Sequence, residues 1–157
     1  MALLFQVFAV GIQMSCLILV GNSIGKGSSR LAKAYYRISF MSILSVNFTI
    51  ICLLFLIKDW VISWFTHNPD IINVLNQSWP LMLLYLMLSG LQKPAISTLR
   101  ATRIQFYALI WTFTAFWLIG IPLALYLTRA QNLGIRGLWI GQTCATAFTC
   151  LLFHLIV

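Results

Sequence analysis

Acid is almost missing from this chain. Its 157 residues include two aspartates, Asp59 and Asp70, and no glutamate, against ten Lys and Arg. Charged residues make up 8% of the sequence, where soluble domains carry about 25%. A protein so poor in charge does not fold as an ordinary soluble domain. Cysteine is scarce too, and Cys16, Cys52, Cys144 and Cys150 all lie inside apolar runs. That placement suits small packing residues and excludes a disulfide framework. No spacing of nucleophile and base, paired acid and base, or metal ligands occurs, so no catalytic residue, metal or cofactor is expected. His67 with Asp70 offers only two ligands in a loop, too few for a metal site. The string GKGS invites a phosphate-loop reading, but Gly21 to Gly25 leaves three intervening residues where that motif needs four, and no strand precedes it.

Apolar residues fill the space left by charge, at 61% of the chain with a mean hydropathy of +0.96. Five windows hold no Lys, Arg, Asp or Glu: residues 1–20, 38–57, 71–92, 104–128 and 137–157. Each has at least the ~20 residues a helix needs to cross a ~30 Å hydrocarbon core. The reading is an all-α, polytopic transmembrane bundle of about five spans, with the lipid bilayer as its first partner. The basic excess does not point to nucleic acid, because the charges sit between spans and build no basic face.

Seven of the ten basic residues fall in two links: Lys26, Arg30, Lys33 and Arg37 in the first, Lys93, Arg100 and Arg103 in the third. The other two links hold Lys58, Arg129 and Arg136 with both acids. The positive-inside rule puts the first and third links in the cytoplasm. Met1 is then outside and Val157 inside. Both termini are apolar and lack polar flanks, so the chain reads as a piece of a longer one. The first link is a Gly/Asn/Ser turn in which Ser28 or Ser29 can cap the next helix. The second carries Trp60, Trp64 and Phe65 on one face of a short helix suited to the outer interface.

Within the spans the polar candidates are Gln6, Gln13, Asn47, Tyr85, Gln142 and His154. Each alone is commonly glue between helices. Among the aromatics of the fourth span, Trp117 is a candidate cation–π wall for an organic cation. Gly90 and Pro94 make the inner end of the third span breakable, and Pro80 and Pro94 can leave carbonyls unpaired, either at a cavity or at a kink that only improves packing. Gly120 and Pro122 predict a kink in the fourth. Gly137, Gly141, Ala145 and Thr149 recur every four residues in the fifth, a stripe of small residues that lets a neighbouring helix come close. With no carboxylate in any span, coupled transport by these helices alone is not expected.

Several of these stretches resemble one family. Val20-Gly21-Asn22-Ser23-Ile24-Gly25-Lys26-Gly27 with Ala32-Lys33 resembles the VGNxLGxG…A(K/R) turn of multidrug and toxic compound extrusion (MATE) transporters. Phe65-Thr66 with Pro69-Asp70-Ile71 resembles their outer link, and Leu99-Arg100 with Gln105 their LRGxGxQ turn. Gly120-Ile121-Pro122-Leu123 and Gly134-Ile135-Arg136-Gly137-Leu138-Trp139-Ile140-Gly141 resemble GiPl…GvxGLWiG, found in eukaryotic members.

The resemblance implies a partial MATE-type lobe, the last five helices of the second of two six-helix lobes. The missing N-terminal lobe of the same longer chain would be its partner, and a small organic cation its substrate, exported against protons or sodium ions. The substrate-binding candidates are then Gln13, Asn47, Tyr85, Ser89, Trp117 and Gln142. Ser89 stands where many members place a carboxylate, and Ala101 and Arg103 replace the glycines of LRGxGxQ, which stiffens that turn and adds charge. The membrane implied is the plasma membrane or a vacuolar or endosomal one. The alternatives are a truncated, non-transporting fragment and a lipid-linked oligosaccharide flippase of related architecture.

Overall fold

A computed structural model describes the backbone of residues 2–64 and 66–157, and the side chains from residue 7 onward within that range. The Gln6 side chain and Phe65, singled out above, lie outside the described residues. The order is α1 (Ala2–Gly25), α2 (Ser29–Leu56), α3 (Lys58–Ser63), α4 (Pro69–Ala101), α5 (Gln105–Thr114), a π-helical turn (Ala115–Gly120), α6 (Ile121–Arg129) and α7 (Ile135–Ile156). Among the described residues five helical runs are long and apolar enough to cross a membrane: Val7–Gly25, Ser29–Leu56, Pro69–Ala101, Gln105–Arg129 and Ile135–Ile156.

The helices outrun the charge-free windows, because a helix ends where its backbone turns and not where its charges begin. Arg30, Lys33 and Arg37 ride on the first turns of α2. Their long stems let the charged heads reach the interface from a helix that continues. The α1–α2 turn closes in three residues. Gly27 takes the left-handed conformation (φ +70°), the Ser28 N–H donates to the Ser23 carbonyl and the Gly27 N–H to the Ile24 carbonyl. That pair of bonds is a Schellman cap. Ser28 occupies the N-cap position of α2, but neither it nor Ser29 supplies the side-chain cap predicted above; no side-chain hydrogen bond is made there. The Schellman bonds already fix the turn.

α4 departs most from expectation. The third span does not break at Gly90 or Pro94. The helix runs from Pro69 to Ala101 through both internal prolines. Asn68 starts it, its side chain accepting from the Asp70 N–H at 3.0 Å with Pro69 at the first turn, as favoured at N-termini. Past Pro94 the helix is held by one bond to a neighbour and one within itself. The Ser97 hydroxyl donates to the Gln13 carbonyl of α1 at 2.8 Å, and the Thr98 hydroxyl donates to the Pro94 carbonyl at 3.0 Å. Pro94 is buried and absorbed by packing, whereas Pro80 is carried within the continuous helix and stays exposed.

The end of α4 explains the unusual LRGxGxQ turn. Arg103 is left-handed at φ +61°, the Ile104 N–H donates to the Leu99 carbonyl and the Arg103 N–H to the Arg100 carbonyl. This is the Schellman geometry again, with arginine where glycine is favoured. The replacement therefore strains the turn instead of stiffening it. A left-handed non-glycine residue costs about 1–2 kcal/mol, and glycine's greater freedom when unfolded returns part of that. Arg103→Gly should stabilise the protein by about 0.5–1 kcal/mol. Thermal melting in detergent checks this: a rise of a few degrees is expected, and a fall would contradict the strain.

The fourth span is disturbed before Pro122, though as a π-turn. Proline has no N–H to close the ladder, and the chain widens over Ala115–Gly120 just upstream. Single π-turns of this kind often mark functional positions. In the assembled bundle α4 touches α1, α2, α5 and α7, while α7 also packs along the π-turn and α6. One apolar cluster joins Leu54, Val61, Ile62, Trp79, Leu83 and Leu86, so α3 buries two residues against α2 and α4. Trp60 and Trp64 face outward with ring centroids 4.4 Å apart, the disposition of an interfacial helix. A second cluster, Ala95, Leu99 and Phe153, ties the other end of α4 to α7.

Candidate functional site

Three of the helices around α4, namely α1, α2 and α7, meet it through a polar or aromatic contact. From α1, the Gln13 carbonyl accepts from Ser97, and Cys16 Sγ reaches the Pro94 carbonyl at 3.9 Å. From α2, the Asn47 carboxamide lies directly over Gly90; a Cβ on that glycine would overlap it. From α7, the Thr149 hydroxyl donates to Gln92 Oε1 at 3.0 Å, and Trp139 meets Tyr85 edge-on with centroids 5.8 Å apart. Gly90 and Ser97 are seven residues apart, on one face of α4 two turns from each other, about 10 Å along the axis. The two contacts form one buried polar seam. Gln13, Asn47, Ser89 and Ser97 are all buried.

The seam unites two of the six substrate-binding candidates, Gln13 through its backbone carbonyl and Asn47 through its carboxamide. Ser89 is buried too, but its hydroxyl donates to the Leu86 carbonyl of its own helix at 3.1 Å, and it shares the face of α4 that carries Tyr85 and Gln92. Tyr85 is half-buried against Trp139. Trp117 and Gln142 lie apart from it, both exposed, with Trp117 stacked on Phe113 at 5.5 Å. The six do not line one wall. Among the described residues no three His, Cys, Asp or Glu side chains gather as metal ligands. The polar members of the seam are all neutral. They can bond a polar or cationic guest through carbonyl, hydroxyl and amide groups, but cannot take up a charge. The Asn47 Nδ2 and Thr143 Oγ1 atoms are buried and have no hydrogen-bond partner among the described residues. A buried donor left unmet costs about 1–3 kcal/mol.

Gly90, Gln92 and Ser97 were not among the sequence candidates. Gln92 sits at the edge of a charge-free window, which suggested a span end. The signal lay just beyond it: residues 95–99 are again uncharged between Lys93 and Arg100, as a continuing buried helix requires. The small-residue stripe of α7 is wholly buried. It meets the π-turn and α6, where a Cβ on Gly141 would stand 2.6 Å from the Gly120 carbonyl oxygen and 2.7 Å from Ala124 Cβ. A Cβ on Gly137 would stand 2.8 Å from the Thr128 backbone nitrogen. Thr149 ends the stripe on Gln92. His154, near the end of α7, holds its Nδ1 2.8 Å from the Cys150 carbonyl and lies edge-on to Phe40.

Five apolar spans make this an integral, multi-pass membrane protein. The chain is 28% identical over 152 residues to an uncharacterized transporter of Schizosaccharomyces pombe, covering 95% of this chain and 28% of the relative. It is 26% identical over 153 residues to human multidrug and toxin extrusion protein 1, covering 98% of this chain and 27% of that one. It is 28% identical over 148 residues to the probable multidrug resistance protein NorM of Bacillus subtilis, covering 93% and 32%. The chain thus spans roughly a third or less of the length of these curated relatives. Its fold superposes on the crystal structure of the eukaryotic MATE transporter AtDTX14 with a TM-score of 0.88 at 21% identity, over 98% of this chain and 34% of that one. The MatE family model matches residues 1–126, and the chain belongs to that family of transporters.

Proposed function

We propose that these helices form most of one lobe of a secondary antiporter that exports organic cations or drugs in exchange for protons or sodium ions. Support comes from family membership, from relatives whose names specify multidrug and toxin extrusion, and from the buried polar seam. The observation that carries most weight is Asn47. Its amide is buried in an apolar span, placed over a glycine that leaves room for it, with Nδ2 unmatched by any described residue. Polar groups at membrane depth are costly and mark pathways. Among the described residues the spans hold no carboxylate beyond Asp70, in the first turn of α4, so the ionisable coupling group is assigned to the remainder of the transporter. The partners are the bilayer, the complementary N-terminal lobe and the cation itself.

Reconstitution of the whole protein in vesicles tests this. A fluorescent organic cation should move against an imposed proton or sodium gradient, and removing the gradient should abolish the movement. Asn47→Leu keeps the size of the side chain and removes its amide. It should slow the initial rate about fivefold, the worth of one ~1 kcal/mol hydrogen bond. Gradient-independent leakage alone, with either ion, would contradict the proposal.

A further inference from the structure

One cleft has the polarity profile of a phospholipid. It opens between the last turns of α4 and the first turns of α5, with a volume of about 460 Å³, and its lining includes Arg100, Gln105, Ile96, Phe106, Leu109 and Thr112. α4 runs toward this end of the bundle and α5 runs away from it, so the lining is graded by depth. Arg100 and Gln105 stand at the mouth, both exposed. Ile96 lies one turn deeper on α4, about 6 Å, and Leu109 and Thr112 lie about 6 and 10 Å deeper than Gln105 on α5. The Thr112 hydroxyl donates to the Ala108 carbonyl at 2.8 Å, which leaves the floor of the cleft effectively apolar.

The mouth carries positive charge that no described carboxylate answers. The chain's two acids, Asp59 and Asp70, belong to α3 and the start of α4, at the opposite end. Lys26, Arg30, Lys33, Arg37 and Arg103 instead share this end with Arg100, while Lys58, Arg129 and Arg136 lie at the other. Gly21 of α1 faces Ala101 of α4, with a Cβ on it 4.0 Å from Ala101 Cβ, which brings the turn carrying Lys26 and the first turns of α2 to the same level. A free phosphate ion would engage the mouth and leave about 10 Å of apolar cleft unused. An acidic protein segment would likewise have no use for an apolar channel running along the membrane normal. A phosphate head with an acyl chain beneath it uses both parts.

We propose that this cleft binds an anionic phospholipid of the leaflet on the basic side of the bundle. The phosphate sits against the Arg100 guanidinium, the Gln105 carboxamide donates to it, and an acyl chain lies along Ile96, Leu109 and Thr112. This assignment stands independently of the transported substrate.

The test uses the full-length protein in vesicles of equal phosphatidylglycerol and phosphatidylcholine, with retained lipids counted by native mass spectrometry. Melting in detergent first establishes that each variant is folded. The wild type should retain phosphatidylglycerol over phosphatidylcholine by roughly fivefold, the effect of one basic side chain near an anionic lipid. Arg100→Gln should abolish that preference. Leu109→Trp, which fills the apolar part, should lower retention of both lipids. Lys33→Gln, at the same end but outside the cleft, should leave the preference intact. An unchanged preference in Arg100→Gln overturns the proposal. So does full-yield crosslinking of a cysteine at position 109 to another helix of the same protein, since the cleft would then be covered by protein.

Discussion

Gly141→Leu is expected to lower the melting temperature in detergent by roughly 5–10 °C, the largest stability loss of any single substitution considered for this bundle. The reason is the nature of the neighbours. A Cβ at Gly141 would stand 2.6 Å from the Gly120 carbonyl oxygen, 2.7 Å from Ala124 Cβ and 2.8 Å from the Ala124 backbone nitrogen. None of these is the far end of a flexible side chain. α7 must move away from the π-turn and α6 as a unit. In lipid no hydrophobic effect compensates, because the tails are as apolar as the side chains, and close packing is what holds the helices together. Over-packing costs about 1–3 kcal/mol, and separation also loosens the neighbouring contacts of Gly137 and Ala145. For a chain of this size each kcal/mol moves the midpoint about 2–4 °C.

Gly11→Leu supplies the internal comparison. A Cβ there meets nothing within 4 Å, and leucine is the better helix former. That variant should melt at or slightly above the wild type. Equal melting of the Gly141 and Gly11 variants would show that the α6–α7 contact is not close-packed.

The spans were legible because charge is excluded from hydrocarbon so sharply that five uncharged windows stand out in a basic chain. Their ends were not. Lys and Arg ride on helices that continue, as on α2, so the loss of apolarity does not signal the end of the helix. Backbone conformation does. Gly27 announces its turn, since glycine favours the left-handed region. Arg103 announces nothing, and its turn emerged only from φ and the two reversed hydrogen bonds. Pro122 declared a disturbance in the fourth span without revealing its form. A missing N–H can be absorbed as a kink or as a widened turn, and the widened turn is the one found, in close contact with Gly141.

The site was half legible for a related reason. A lone amide in an apolar run is conspicuous, and Gln13 and Asn47 were found that way. Gln142 looked the same in sequence and faces outward. Composition identifies a polar residue in a span, but only the arrangement of neighbouring helices decides whether it points at one. The small stripe of α7 escaped that ambiguity. Four small residues at four-residue spacing describe a surface, and a surface made so flat has one physical use.

Helices that cross a bilayer in this order place the basic α1–α2 turn and the α3–α4 link on opposite faces. Single cysteines at Ser28 and His67 test that topology most directly, in a background with Cys16, Cys52, Cys144 and Cys150 replaced by alanine. Ser28 lies in the three-residue turn closed by Gly27, and His67 lies exposed between α3 and Asn68. Four basic residues cluster around the first, and Asp59 and Asp70 flank the second. An impermeant maleimide added to intact cells should label the His67→Cys protein at once and leave the Ser28→Cys protein unlabelled until the membrane is permeabilised, a near all-or-none difference. Labelling of position 28 in intact cells, or of both positions from the same side, would contradict the topology and with it the bundle described here.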